Sequence, residues 1–229
     1  MALQKHFGTK AVIGLILCLG WTASPRAAVQ AADFEKWEKE ISAYEQADRT
    51  SPPPKGGLLF IGSSTIRRWK TLAQDFPQHR VINRGFGGSE IADSTHFAER
   101  IIFPYAPRMI LLRAGGNDMH NGKSPELVFS DFRAFVAKVH ETLPETEIAY
   151  IALNPSIDRW EEKSKGEALN RMVLEYTRQI SGLRYIDADS ISLGPDGKPR
   201  PELFVADKLH FSPAGYKLLA ARVGLYLPK

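Results

Sequence analysis

Apolar positions along this chain follow two alternating rhythms. Short unbroken runs at residues 58–61, 81–82, 109–112, 148–153 and 184–186 are separated by longer stretches in which apolar residues recur at helical spacing. Unbroken runs predict strands buried on both faces, as in a parallel sheet, because a half-exposed strand would alternate. Between them, Ser124-Pro125 predicts a helix start through a capping serine and a proline at the first helical position. Val128, Phe132, Phe135, Val136 and Val139 give that helix its apolar face. Leu169, Met172, Val173, Tyr176 and Ile180 mark another helix, and Ser212-Pro213 opens a last one bearing Tyr216, Leu219, Ala220, Val223 and Leu227. Strand and helix in alternation predict an α/β domain over residues 58–229, with helices on both faces of the sheet. Ahead of it, Asp33 is placed to cap a helix carrying Phe34, Trp37, Ile41 and Tyr44, and the Pro- and Gly-rich residues 50–57 read as a linker. Residues 32–57 are expected to pack onto the main domain as helix and linker.

The first residues follow neither rhythm. Lys5 and Lys10 frame the start of an apolar run over residues 11–19, and small residues follow. This predicts a secretory signal over residues 1–31, cleaved after Ala31. The run is short for a membrane span, and Cys18 is preceded by Leu17 where lipid attachment needs a small residue. The expected product is exported, periplasmic or secreted, with no stable membrane insertion after cleavage; the alternative is a leader retained as an N-terminal anchor.

That leader changes the charge picture. The 229 residues carry 30 basic and 26 acidic side chains, a net charge of +4 and a pI near 9.1, which invites an anionic partner. Without Lys5, Lys10 and Arg26, however, 27 basic residues face 26 acidic ones. The basicity expected of a nucleic-acid binder is then missing, and no nucleic-acid partner is expected. Cys18 is the single cysteine, so neither an internal disulfide nor a cysteine-built zinc site can form.

Parallel sheets carry their chemistry at the carboxyl ends of the strands. After the first run comes Gly62-Ser63-Ser64-Thr65. A serine in a tight strand-to-helix turn exposes its hydroxyl where a helix N-terminus offers N–H groups and partial positive charge. The same serines read equally as plain helix caps. After the second run, Asn83-Arg84-Gly85-Phe86-Gly87-Gly88-Ser89 nearly matches a dinucleotide fingerprint, but Glu90 stands where the last glycine should be. These glycines provide either a plain turn or an N–H donor for an anion. After the third run, Arg113-Ala114-Gly115-Gly116-Asn117-Asp118 sets an asparagine that can turn its amide into the same cleft or simply close an Asx-turn. Gly122-Lys123-Ser124 resembles the end of a phosphate-binding loop, but the spacing to an earlier glycine fails.

Before the last helix, Asp207 and His210 stand three residues apart. In a turn, the carboxylate can hold one imidazole nitrogen and leave the other as a base. His79, His96, His120 and His140 lack such a partner, and His140-Glu141 is not followed by the second histidine of a helical zinc motif. No metal and no organic cofactor is expected. Together the strand ends supply a nucleophile, a base, an orienting carboxylate and oxyanion donors, which is the inventory for acyl transfer.

These blocks, in this order, resemble the SGNH or GDSL-type hydrolases, a superfamily of flavodoxin-like α/β esterases and lipases. The match covers essentially residues 58–227 and is similar above all to the small single-domain members, such as the platelet-activating-factor acetylhydrolase catalytic subunits and their bacterial relatives. The resemblance implies a three-layer α/β/α sandwich around a mostly parallel five-stranded sheet. It puts the nucleophile on Ser64, the donor glycine on Gly88, the donor asparagine on Asn117 and the dyad on Asp207 and His210. The oxyanion hole would combine the N–H groups of Ser64 and Gly88 with the Asn117 amide. The family's usual Gly-Asp-Ser reads Gly62-Ser63-Ser64 here. The missing aspartate is not a reacting group, but its replacement leaves Ser63 open as an alternative nucleophile.

The resulting expectation is a serine esterase acting on a small-molecule carboxylic ester through an acyl-enzyme. Residues 154–167 and 188–206 flank the expected site and read for the most part as plain surface loops. A small domain without an obvious lid suggests short acyl chains. Three other readings stand beside it: the same chemistry passing the acyl group to an envelope polysaccharide, a catalytically silent carbohydrate- or lipid-binding domain, and a nucleotide-binding α/β protein, which both failed glycine motifs disfavour.

Overall fold

Five strands, β1 (Leu58–Gly62), β2 (Val81–Gly85), β3 (Met109–Arg113), β4 (Glu147–Ile151) and β5 (Leu183–Ile186), form one sheet in the order β2-β1-β3-β4-β5. Every pairing is parallel, so the sheet is wholly rather than mostly parallel. The strand order is the flavodoxin-like one. The computed structural model describes residues 34–228; the signal over residues 1–31, Cys18 and the cap at Asp33 lie outside the described residues. Residues 36–229 form one compact unit.

The central strands are short because each is a buried run and little else, while the edge strands β2 and β5 include half-buried or exposed residues. In β1 and β3 all five residues are buried, which explains why their apolar runs do not alternate. Leu58, Phe60, Met109, Leu111, Ala149, Ile151 and Ile186 face one layer, where they meet Trp69, Leu72, Phe76, Leu219 and Val223. The intervening residues of each strand point to the opposite face, where Phe132 meets Tyr150 edge to face at 5.3 Å.

The helices are α1 (Glu38–Thr50), α2 (Ser64–Arg67), α3 (Leu72–Asp75), α4 (Ile91–His96), α5 (Ala98–Ile101), α6 (Gly116–His120), α7 (Pro125–Thr142), α8 (Lys163–Thr177) and α9 (Pro213–Gly224). The Ser124 hydroxyl accepts from the Leu127 N–H and the Ser212 hydroxyl from the Gly215 N–H, so both serine-proline pairs cap as their sequence predicts. A 3₁₀ turn over Glu35–Trp37 precedes α1. The helix is tied down by polar contacts around the buried Ile41. Tyr44 donates to the Gly85 carbonyl, Asp48 accepts from Arg84 and Tyr105, and Arg100 donates to Glu38 and Glu45.

Several element boundaries differ from expectation. β4 ends at Ile151 rather than reaching residue 153, because Asn170 from α8 takes both the N–H and the carbonyl of Leu153. α8 starts six residues before the first apolar marker at Leu169 and stops at Thr177, leaving Ile180 beyond it. α9 ends at Gly224, although Leu227 still packs against the core. Among the described residues no helix is long and apolar enough to cross a membrane.

The sheet pins the first turn through a glycine. Gly62 has φ +135°, and a Cβ there would stand 2.0 Å from the Arg113 carbonyl oxygen. Gly62→Ala is expected to destabilise the fold by at least about 2 kcal/mol, since the backbone strain and the overlap with a neighbouring strand add. Urea unfolding measures this, and an unchanged midpoint would contradict the close approach.

Candidate active site

β1 runs directly into α2, so the chain must turn within one residue of Gly62. Ser63 occupies the N-cap position but makes no side-chain cap hydrogen bond. Ser64 is the first residue of the helix, where its N–H has no intrahelical acceptor. Two neighbours hold this turn. The Asn83 amide donates to the Ile66 carbonyl at 2.7 Å, and the Tyr216 hydroxyl donates to the Thr65 carbonyl at 2.8 Å. Gly85 lets the turn approach β2, since a Cβ there would lie 2.3 Å from the Arg67 nitrogen. The second sequence block therefore has a structural task besides any donor role for Gly88.

The dyad comes from a turn of a different kind. Phe204 and Phe211 pair in an isolated antiparallel bridge, and residues 205–210 loop between them. The Asp207 carboxylate accepts from the Leu209 and His210 N–H groups at 3.0 and 2.9 Å. Lys208, at φ 58°, supplies the left-handed residue that closes the loop. The other Asp207 oxygen lies 2.7 Å from His210 Nδ1, and His210 Nε2 lies 2.8 Å from the Ser64 hydroxyl oxygen. One hydrogen-bonded line thus joins Asp207, His210 and Ser64. Partial burial works against the Asp207 charge, but the backbone N–H of His210, its imidazole and the Leu209 N–H outweigh it and hold the carboxyl well below the usual aspartate range.

Gly88 and Asn117 border the same serine. Gly88 has φ +88°, and its loop is tied to α6 because Asn117 donates through Nδ2 to the Ser89 carbonyl at 3.1 Å. An amide nitrogen carries two hydrogens, so one remains for another acceptor. The Asn117 oxygen accepts from Arg159 at 3.0 Å, which fixes which way the amide faces. Asp118, the next residue, is fully buried and accepts from the Ile91 N–H at 3.1 Å. Lys123 gathers around it with Glu90 and Asp131, so the failed phosphate-loop motif is a charge cluster behind the Gly88 loop.

Gly115 starts α6 at φ +115°, where a Cβ would lie 2.8 Å from Leu169. Arg113 lies under the site and is buried; it donates to the Ala152 carbonyl and the Asn154 side chain. Burial pulls its pKa down to about 10, and the guanidinium remains charged at neutral pH.

A cleft of about 310 Å³ opens beside Ser64 and His210, within the range of small-molecule sites. Residues 154–167 contribute Asn154, Pro155, Ser156, Arg159 and Lys163 to it, and residues 188–206 contribute Asp189, Ser190 and Leu193. Both segments were expected to be mostly plain loops; more than half of residues 154–167 line the cleft instead, whereas residues 188–206 add only those three and are otherwise as expected. Arg159 carries no signal in the sequence, being one charge among several in a polar stretch. Among the described residues no cluster of three His, Cys, Asp or Glu side chains is arranged to hold a metal ion.

A family model described as GDSL-like lipase/acylhydrolase matches residues 60–218. The chain belongs to that family. It is a carboxylic ester hydrolase by that membership, and its substrate is a small-molecule ester. Solved structures agree on the fold. A candidate platelet activating factor of Streptococcus pneumonia is 21% identical, with a TM-score of 0.76 over 90% of this chain and 100% of that one. A candidate acylhydrolase of Bacteroides fragilis is 17% identical, with a TM-score of 0.67 over 81% and 95%. A catalytic mutant of an acetylxylan esterase from Geobacillus stearothermophilus is 16% identical, with a TM-score of 0.59 over 74% and 93%. No curated protein matches.

Asp118 yields a pH-dependent expectation. Burial, opposed by Lys123, pushes its pKa up to about 7 from 3.8. Between those values the folded chain holds a proton that the unfolded chain has released, so stability from this group is complete below about pH 4 and drains away as pH rises through about 7. The Tm advantage of Asp118→Asn over the native chain should therefore widen from about pH 4 to about pH 7 and then level off. A gap independent of pH would mean that Asp118 is ionised in the folded chain.

Proposed function

We propose that the chain is a serine esterase working through an acyl-enzyme, with Ser64 as nucleophile, His210 as base and Asp207 as the group that orients and stabilises the imidazolium. The observation that carries this reading is the continuous line from Asp207 through His210 to the Ser64 hydroxyl, at 2.7 and 2.8 Å. Ser63 has no comparable partner in that line, which favours Ser64 between the two.

In this mechanism the Ser64 oxygen attacks the ester carbonyl carbon as its proton passes to His210 Nε2. The carbonyl oxygen, now negative, is met by the N–H groups of Ser64 and Gly88 and by the free hydrogen of the Asn117 amide. His210 returns the proton to the departing alcohol. Water then gives a proton to His210 and adds to the acyl carbonyl; collapse releases the acid and restores the Ser64 hydroxyl. Arg159 is a positioning residue here, since its bond to the Asn117 oxygen keeps the amide hydrogens turned toward the reacting carbonyl.

The acyl group fits the cleft side bearing Leu153, Leu193, Leu209 and Phe211, and its modest volume supports short acyl chains. The leader supports an exported, periplasmic or secreted enzyme whose mature chain begins after Ala31.

Labelling with a fluorophosphonate should give a single adduct on Ser64, located by peptide mass spectrometry, and Ser64→Ala should lose both the adduct and p-nitrophenyl acetate hydrolysis. An adduct on Ser63 would reassign the nucleophile, and no adduct in a folded protein would favour the silent binding domain. Asn117→Ala should lower kcat on the order of 10²–10³-fold; a loss below about tenfold would remove it from the oxyanion hole. Asp207→Asn should cost on the order of 10³–10⁴ in kcat, whereas a near-native rate would show that His210 is oriented without it.

A further inference from the structure

The two sides of the Ser64 hydroxyl are electrostatically unlike. On the cleft side, Arg113, Arg159 and Lys163 are offset by Glu162, Glu167 and Asp189. On the other side a groove of about 540 Å³ is lined by Arg67, Arg68, Lys70 and Arg159, with Gly87, Gly88, Asn117, Leu209, His210 and Ser64 completing it. No carboxylate lines this groove among the described residues. The nearest, Asp207, faces His210 at 2.7 Å and lies only 3.4 Å from Arg68, with both side chains well exposed. It is already committed to the imidazole, and so exposed a pair offsets little charge.

Several cations elsewhere on the surface find acids, while others, such as Lys39 and Lys217, make no ion pair among the described residues; the groove differs in gathering its cations on one wall with no lining carboxylate. Arg100 bonds Glu38 and Glu45, Lys138 bonds Glu99, Lys163 bonds Glu167 and Arg184 bonds Glu147. Arg67 and Lys70 make no ion pair among the described residues, and both are exposed. Arg67 is held over the groove floor, because a Cβ on Gly87 would come within 2.9 Å of its guanidinium. Arg159 spends one nitrogen on Asn117 and Gly116, and its Nε is buried without a partner. Unpaired cations concentrated beside a reacting carbonyl raise the local concentration of anions and reward a ligand that brings the missing negative charge.

We propose that the ester hydrolysed by this protein carries an anion, a phosphate or a carboxylate, on its alcohol portion, and that Arg67, Arg68, Lys70 and Arg159 receive it. The inference rests on the acyl-enzyme reading above. With the acyl group in the cleft that holds the apolar residues, the alcohol oxygen leaves toward the groove, and its substituent meets the cations. Arg67 ends α2, which begins at the nucleophile, and Arg68 follows as its C-cap, so a bound anion also orients the ester on Ser64.

Matched acetate esters test this. Acetylglycerol phosphate against monoacetylglycerol isolates a phosphate, and acetylated galacturonate against acetylated galactose isolates a carboxylate. The anionic member of at least one pair should have a kcat/KM about tenfold or more above its neutral twin. That advantage should shrink as salt is raised from about 0.01 M to about 1 M, which shortens the screening length from about 30 Å to about 3 Å. The double variant Arg67→Ala, Lys70→Ala should lower kcat/KM for the anionic ester far more than for the neutral one, bringing their ratio toward one. Which pair responds tells phosphate from carboxylate. Equal turnover within both pairs, by an enzyme that cleaves p-nitrophenyl acetate and is labelled on Ser64, overturns the anionic substrate alone. A folded protein with no turnover of any ester and no label on Ser64 overturns the esterase reading and this inference with it.

Discussion

The site depends on one constraint of the sheet: the register that sets Gly62 level with both Gly85 and Arg113. Parallel strands in this register end together, so three connecting loops leave from one edge within reach of each other. Glycine at two of those ends removes the side chains that would hold the loops apart. The serine turn can then lie against β2 and hydrogen-bond β3, where the Ser63 N–H meets the Arg113 carbonyl. A side chain at Gly62 or Gly85 would lift α2 away from the strands that carry the loops of Gly88 and Asn117. The relative placement of Ser64, Gly88 and Asn117 is thus a property of backbone packing more than of any single polar contact.

Behind those backbones stands a layer of buried charge. Arg113 braces the β4 loop through Ala152 and Asn154, while Asp118 braces the Gly88 loop through the Ile91 N–H. Burying either ion costs free energy that a neutral core residue would not. Arg113 offsets this with hydrogen bonds to loop carbonyl oxygens that would otherwise be left without a donor. Asp118 offsets it in part by holding its proton toward neutral pH. These groups fix loops that have no secondary structure of their own, at some expense in stability.

The central strands were legible in the sequence because each is a buried apolar run flanked by polar turns, the edge strands β2 and β5 only through short apolar stretches beside polar residues such as Asn83 and Arg184, and the long helices because their apolar faces repeat and serine-proline pairs mark two of their starts. The one-turn helices were not. Leu72–Asp75 or Ala98–Ile101 spans too few residues to show a period, and tertiary contacts rather than propensity make them helical. Within the candidate site, Asp207 and His210 stood out by spacing; position after strands marked the loops of Ser64, Gly88 and Asn117 but left plain caps and turns open, and only the family resemblance singled out those three residues. Arg159 was not, because its partner Asn117 lies 42 residues away and nothing in a charged loop distinguishes one arginine from its neighbours. The segment over residues 154–167 was misjudged for the same reason: composition reports that a segment is polar, whereas the strand it follows decides what it faces; residues 188–206 are mostly plain loop, as expected, and add only Asp189, Ser190 and Leu193 to the cleft.

That division bears on how such a site changes its substrate. Ser64, Gly88 and Asn117 are held by strand ends and cannot shift without disturbing the sheet. Asp207 and His210 are held by a self-contained turn, in which the Asp207 carboxylate accepts from the Leu209 and His210 N–H groups and Lys208 takes a left-handed conformation that costs about 1 kcal/mol or more. Such a turn brings its own geometry and asks only that the Phe204–Phe211 bridge be anchored, which the aromatic packing of Phe211 on Tyr216 provides. The walls on either side of the hydroxyl are held differently: the loops after β4 and β5 shape the cleft, whereas in the groove Arg67 stands on α2 itself, Arg68 and Lys70 follow it, and Arg159 also holds the Asn117 amide. The exposed side chains of Arg67 and Lys70 make no ion pair among the described residues, so they can change without loosening the turn that places Ser64, whereas Arg159 cannot change without freeing the Asn117 amide. The charge on the groove side can therefore vary at Arg67 and Lys70 while the line from Asp207 through His210 to Ser64 stays as it is.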